Sequence, residues 1–149
     1  PGSVRRVAVM RHPSSAEWAA VIEGFEPDVL QTDAEDFAGL DVPSHIAPWP
    51  VIREGTSAAT GPVPQEFVYE GPVSGSGETV DWKNAASLAR KGRMVLAGGL
   101  DASNVCDAIR AARPWGVDVS SGVESAPGKK DVEKIRQFIG AVRTAEIKA

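Results

Sequence analysis

Short apolar runs alternate with helical stripes along this chain, and that alternation sets its architecture. Val7-Ala8-Val9-Met10 is a run suited to a strand buried on both faces. Ser14, with Glu17 three residues on, makes a capping box. Trp18, Val21, Ile22 and Phe25 then follow at i, i+3, i+4 and i+7, the buried stripe of an amphipathic helix. Val29-Leu30-Gln31 predicts a second strand, residues 35–40 a short helix, and Val51-Ile52, between Pro50 and Gly55, a third strand. Over residues 55–64 the composition turns to Gly, Ala, Thr and Pro, which predicts a loop in place of a helix. Phe67-Val68-Tyr69 resumes the sheet, Asp81 caps a helix running as far as residue 92, and Met94-Val95-Leu96-Ala97 is a fifth strand. Val105, Ala108, Ile109 and Ala112 stripe a helix that Pro114 ends, and Val117-Asp118-Val119 is a sixth strand. Asp131 caps the last helix, with Ile135, Phe138, Ile139 and Val142 on its buried face.

Six strands alternating with helices imply α/β architecture with a parallel sheet, either open and doubly wound or closed as a barrel. No G-x-G-x-x-G follows the first strand, which weakens the dinucleotide-binding version. No linker or low-complexity tract interrupts the pattern, so residues 1–149 read as one domain. That length supports a real core but falls short of the about 250 residues of a complete (β/α)₈ barrel.

Apolar residues make up 42% and charged residues 24%, the balance of a folded globular protein, and the net charge is −4. An acidic chain argues against a nucleic-acid backbone or an anionic membrane as its partner. No apolar run approaches the roughly 18 residues of a membrane span. The single cysteine, Cys106, cannot form an internal disulfide, and His12 and His45 without cysteine companions make no zinc pattern. A reducing cytoplasm fits best. The four tryptophans read as packing.

In a barrel, function collects where strands end, and phosphate usually binds after the last two strands. Gly98-Gly99-Leu100-Asp101 follows the fifth strand here and Ser120-Ser121-Gly122 the sixth. Glycines let backbone N–H groups approach a phosphate closely, and serine hydroxyls donate further. Each alone is a common turn. As a pair after consecutive strands, Gly98, Gly99, Ser121 and Gly122 become candidate phosphate-binding residues.

The wording of these segments resembles a known family. Leu96-Ala97-Gly98-Gly99-Leu100, Gly116-Val117-Asp118-Val119-Ser120-Ser121-Gly122-Val123-Glu124 and Pro127-Gly128-Lys129-Lys130-Asp131 are similar to the last two strand-loop units of phosphoribosylanthranilate isomerase. Gly75-Ser76-Gly77-Glu78-Thr79-Val80-Asp81-Trp82 resembles that family's glycine-rich loop after strand 6, and Asp28-Val29-Leu30-Gln31 its strand 4. The resemblance runs over residues 7–142. It implies a TIM-type (β/α)₈ barrel of which this chain holds strands 3 to 8, with strands 1 and 2 absent from it. The first and last strands should then lie at open sheet edges.

The resemblance also implies an activity: an Amadori rearrangement of N-(5-phosphoribosyl)anthranilate in tryptophan biosynthesis, without metal or cofactor. An acid at the end of strand 6 protonates the ribose ring oxygen, and a base on strand 1 removes the C2 proton. The acid position falls on Glu70, where the family has aspartate. The family's base, a cysteine on strand 1, and a substrate-gripping arginine on strand 2 have no counterpart here. Cys106 falls on the helix after the fifth strand of this chain and reads as packing. Arg53, where the family has a strand 5 lysine, and Asp33, where it has a histidine after strand 4, are implied as substrate-binding residues, and Glu78 stands for a lysine of the glycine loop. Asp118 carries over unchanged, either as a substrate-contacting carboxylate or as one bonded to its own loop. The partner implied is a phosphorylated sugar-anthranilate, with the missing strands or a second copy completing the barrel. Two other readings stay open: a non-catalytic remnant that keeps the phosphate cradle, and a different phosphosugar-binding barrel enzyme.

Overall fold

The computed structural model describes residues 4–56, 59, 62–73 and 78–147. Six parallel strands pair in chain order: β1 (Val7–Val9), β2 (Val29–Asp33), β3 (Ala47–Arg53), β4 (Glu66–Glu70), β5 (Arg93–Leu96) and β6 (Gly116–Val117). Between them run α1 (Ser15–Phe25), a 3₁₀ turn (Ala34–Gly39), α2 (Trp82–Ala89) and α3 (Val105–Ala112). A second 3₁₀ turn (Ser121–Val123), an antiparallel hairpin of β7 (Glu124–Ala126) and β8 (Lys129–Lys130), and α4 (Val132–Ile147) complete the chain. No described helix is long and apolar enough to cross a membrane.

Strand periodicity separates two apolar layers. On one face Ala8 and Leu30 pack against Trp18 of α1. Ile52, Phe67, Tyr69, Met94 and Leu96 join Ala85 and Leu88 of α2, Val105 and Ala108 of α3 and Phe138 of α4. The strand register, Leu30↔Pro48 and Ile52↔Tyr69↔Leu96, puts all of these on the same side. The opposite face carries Trp49, Val51, Val68, Val95 and Ala97, an apolar layer of its own on which no described helix packs. A doubly wound sheet carries helices on both faces, so helices on one face alone make this an open arc of a (β/α) barrel. Among the described residues β1 and β6 each pair on one side only, which puts the first and last strands at the edges.

Several elements differ from the sequence reading. β3 starts four residues earlier than Val51, running through two prolines. Ala47 N–H donates to Asp28 and Glu54 N–H to Glu70, so odd positions in β3 aim their amides at β2 and even ones at β4. Pro48 and Pro50 are both even, and the β3–β4 ladder begins only at Val51↔Val68. The missing N–H groups therefore fall where the ladder has not begun. β6 is shorter than the expected Val117 to Val119 run, although Asp118 N–H still donates to Leu96. Phe25, the last residue of its stripe, and Ile139 are both 44% exposed, while Ile135, Phe138 and Val142 pack on the core. The β7–β8 hairpin was not anticipated; its turn uses Gly128 at φ +75 after Pro127. The loop expected over 55–64 begins as a turn at Glu54, Gly55 and Thr56, and residues 57, 58, 60 and 61 lie outside the described residues.

The N-terminal end of the sheet is held by charge and aromatic contacts. Glu66 accepts from Trp49 Nε1 at 2.7 Å and from Arg93 at 3.0 Å, with Arg5 at 3.5 Å. These bonds, the indole's first, hold its carboxyl below the usual range. Arg5 lies over the Trp49 ring and Arg93 over Trp115, and the two indoles meet edge to face at 6.1 Å. These tryptophans pack, as their counterpart Trp18 does with Nε1 on Asp41 O at 2.9 Å.

The capping box expected at Ser14 forms: Ser14 N–H donates to Glu17 at 2.8 Å, and Glu17 N–H to the Ser14 hydroxyl at 3.3 Å. Ser14→Ala should lower unfolding stability in urea by about 1 kcal/mol, the usual cost of losing an N-cap. A loss near zero would show that α1 is held by Trp18 alone.

Candidate active site at the C-terminal ends of the strands

Continuing the inner face one step past each apolar residue brings out polar groups. Two residues beyond Val51 stands Arg53, and two beyond Val68 stands Glu70. Asp33 ends β2 and Asp118 follows directly on β6, both on the same side. Arg53 is the hub. Its Nη1 lies 3.2 Å from Glu70 Oε2, and its Nη2 lies 2.7 Å from Asp33 Oδ1 in an ion contact out of line for a hydrogen bond. Asp33, read from sequence as substrate-binding, is 3% exposed and already paired with Arg53. Arg53 and Glu70 keep 17% and 16% of their side chains open to the mouth.

Asp118 faces the same mouth. It is exposed by surface area yet crowded by protein atoms, as a side chain on a concave rim must be. Desolvation first, then the neighbouring Glu70 charge, raises its carboxyl above the usual range, and Lys130 opposes both. A carboxyl so raised, beside a second carboxylate, is a suitable arrangement for moving protons at a bound substrate.

His12 and Asp36 extend the cluster and were not singled out from sequence. His12 Nδ1 lies 2.9 Å from Asp36 Oδ1, its N–H donates to Asp36 Oδ2 at 3.1 Å, and Nε2 stands 3.5 Å from Asp33. Thr32 Oγ1 also donates to Asp36. The signal was available in one form: His12 stands three residues past β1, where a barrel places its functional loops. His12, Asp33 and Asp36 bring one potential metal-ligating atom each within 4.8 Å. Arg53 already neutralises the Asp33 charge, and Asp36 accepts from Thr32 Oγ1 and pairs with His12.

The two glycine-bearing loops meet. A Cβ on Gly122 would lie 2.0 Å from the Leu100 carbonyl oxygen, so only glycine lets the loop after β6 rest on the loop after β5. Gly98 and Gly99 take φ of +92 and +59, a left-handed backbone that side chains other than glycine's rarely adopt. Among the described residues the N–H groups of Gly98, Gly99, Ser121 and Gly122 donate to no protein acceptor. The first loop is braced from below: Asn104 Nδ2 donates to Gly99 O at 2.8 Å, and Asp101 accepts from the Ser103 amide at 2.7 Å and its hydroxyl at 2.6 Å. Residues 74–77 of the glycine loop after β4 lie outside the described residues, so the Gly75-Ser76-Gly77 segment has no structural account. Cys106 sits away from this mouth, its Sγ on Ala141 O at 3.1 Å between α3 and α4.

Helices on one face, an apolar inner layer, ionisable groups at the strand ends and paired glycine loops after the last two strands are the features of a (β/α)-barrel enzyme. Residues 4–141 match the family model for N-(5'-phosphoribosyl)anthranilate isomerase. A relative of that name from Solibacter usitatus is 39% identical over 95% of this chain and 73% of its own length. The crystal structure of the Thermotoga maritima phosphoribosylanthranilate isomerase superposes with a TM-score of 0.76 at 28% identity, covering 97% of this chain and 75% of that one. A further isomerase structure, solved with reduced 1-(o-carboxyphenylamino)-1-deoxyribulose 5-phosphate, gives 0.72 at 27% identity, over 97% and 74%. The chain belongs to the phosphoribosylanthranilate isomerase family, and it spans about three-quarters of the length of these relatives.

The His12 imidazole is held above its ordinary value of 6.5, first by the Asp36 hydrogen bond and then by that carboxylate's charge. The stabilisation from this pair is therefore complete below the unfolded-state value and fades as pH rises through the higher folded-state value. In an NMR titration His12 should reach its midpoint above 6.5, and Asp36→Asn should bring that midpoint down. A midpoint unmoved by Asp36→Asn would mean the two groups do not meet in solution.

Proposed function

We propose that this chain carries the phosphate-binding and acid-bearing part of an isomerase that converts N-(5-phosphoribosyl)anthranilate to the carboxyphenylamino-deoxyribulose phosphate. The observation that carries this reading is the seating of Gly122 on Leu100, which joins two amide-rich loops beside Glu70 and Asp118. In this reading Gly98, Gly99, Ser121 and Gly122 receive the phosphate, and the ribose lies across the mouth toward Glu70. Arg53 fixes Glu70 in place, Asp33 fixes Arg53, and Asp118 contacts the sugar.

The chemistry follows from those places. A proton held by the neighbouring Asp118 and Glu70 carboxyls passes from Glu70 to the ribose ring oxygen, the C1–O bond breaks, and the anilino nitrogen lone pair forms the iminium. A second group then takes the C2 proton, leaving an enol-enamine that becomes the ketone. In the family that base is a cysteine on strand 1. Cys106, packed between α3 and α4, does not reach the mouth. The unpaired edges of β1 and β6 are where the first two barrel strands, in cis or as a separate peptide, would complete the sheet. A second copy of the chain is the other candidate for those edges.

Residues 1–149 assayed alone should give no measurable turnover, since a positioned base typically contributes ~10²–10⁴-fold. Adding a polypeptide that carries the first two strands and their cysteine should restore it. In that assembly Glu70→Gln should remove most activity, about 100-fold or more, while Cys106→Ser should leave it unchanged. Turnover by residues 1–149 alone would mean that a base within this chain has been missed. An assembly that stays inactive while still binding phosphate would favour the non-catalytic reading, for which the glutamate at position 70 and the aspartate at position 33 are the supporting exchanges.

A further inference from the structure

Lys130 plays no part in that chemistry, yet it is tied into the site more fully than any other lysine described. Its Nζ donates to Ser120 O at 2.9 Å, to Ser120 Oγ at 3.1 Å and to Glu124 Oε1 at 2.8 Å. An ammonium has three N–H donors, so all three are used inside the chain and none is left to offer a ligand. The two residues it holds flank the 3₁₀ turn that contains Ser121 and Gly122: Ser120 stands just before it and Glu124 just after. The hairpin is what makes this possible. Pro127 and Gly128 reverse the chain, Gly128 N–H donates to the other Glu124 oxygen at 3.2 Å, and Lys130 returns to face the turn. Lys134 Nζ adds a bond to Glu124 O at 2.7 Å, fixing the same corner from α4.

We propose that Lys130 is a positioning residue, clamping both ends of the 120–124 turn so that the Ser121 and Gly122 amides stay aimed at a bound phosphate. The inference rests on the phosphate site argued above. With 46% of its side chain exposed, Lys130 gains little from the ion pair with Glu124 taken alone. Its effect is geometric: without the clamp the turn keeps two backbone ties of its own, Val123 N–H to Ser120 O at 3.3 Å and Glu124 N–H to Ser121 O, and neither joins Ser120 to Glu124. Lys130 also reaches Asp118 electrostatically, where it opposes the Glu70 charge from β4. That gives the clamp a second, independent readout.

The test uses the 149-residue chain and inorganic phosphate, followed by amide NMR, in the wild type, Lys130→Met and Lys130→Arg. Lys130→Met should weaken phosphate binding about tenfold, the scale of one lost charge-assisted hydrogen bond, with amide shifts concentrated at residues 120–124. Lys130→Arg should recover most of it. The Asp118 carboxyl carbon should titrate at higher pH in Lys130→Met and return in Lys130→Arg. Should Lys130→Met lose the folded spectrum, Glu124→Gln, which keeps the ammonium and removes its carboxylate partner, should still disturb residues 120–122 and weaken phosphate binding. Wild-type phosphate affinity in Lys130→Met, or in Glu124→Gln if that variant has to stand in, overturns the clamp. If the wild-type amides of Gly98, Gly99, Ser121 and Gly122 ignore phosphate, the phosphate reading fails instead. The clamp then stands or falls on whether the 120–124 amides and the Asp118 titration move in Lys130→Met.

Discussion

A parallel sheet buried on both faces leaves few places for a polar side chain, and that constraint organises the molecule. Val68, between Val51 and Val95, has no exposed surface, and its neighbours Phe67 and Tyr69 are sealed against the helices on the other face. Apolar burial of this kind stabilises by about 25 cal/mol per Å², so charge within these strands is tolerated only near their ends. At the N-terminal end Glu66 and Arg93 pair under Trp49 and Trp115. At the C-terminal end Arg53 and Glu70 follow two residues after the inner-face valines. One end is closed by aromatic rings, and the other opens on the glycine loops.

At that end each group is set by its neighbours. Arg53 between Asp33 and Glu70 orders the left of the mouth, and His12 with Asp36 continues the chain of ion pairs to β1. Asp118 and the paired loops order the right. Gly122 has no space for a side chain, and Gly98 and Gly99 hold a backbone that other residues rarely adopt. The phosphate reading thus depends on backbone shape, while the proton-transfer reading depends on side chains. A substitution can damage one and spare the other.

Much of the fold was legible because strand and helix periods are strong signals. Ser14 and Glu17 announced α1, Asp81 and Asp131 announced α2 and α4, and the apolar runs found all six strands. The misses have local causes. Pro48 and Pro50 hid the first half of β3, because strand rules penalise proline without knowing which way its nitrogen faces. The β7–β8 hairpin escaped because two-residue strands carry no period, and its Pro127-Gly128 turn read as part of a loop signature. For the site, the family resemblance named Arg53, Glu70 and Asp118, and the fold brings all three to one end of the sheet. The burial of Asp33 against Arg53 was not legible, since sequence spacing says nothing of which carboxylate an arginine will choose. His12 and Asp36 lie 24 residues apart and are joined only by the β1–β2 pairing.

The central claim is that the loops after β5 and β6 form one phosphate cradle with the sugar lying toward Glu70 and Asp118. A crystal structure of this chain with reduced 1-(o-carboxyphenylamino)-1-deoxyribulose 5-phosphate tests it most directly. The account predicts phosphate oxygens within hydrogen-bond distance of the Gly98 or Gly99 amide and of the Ser121 or Gly122 amide, with the ribulose chain running across the mouth to Glu70. A phosphate held at the β1–β2 side by His12 and Arg53, with both glycine loops empty, would contradict it.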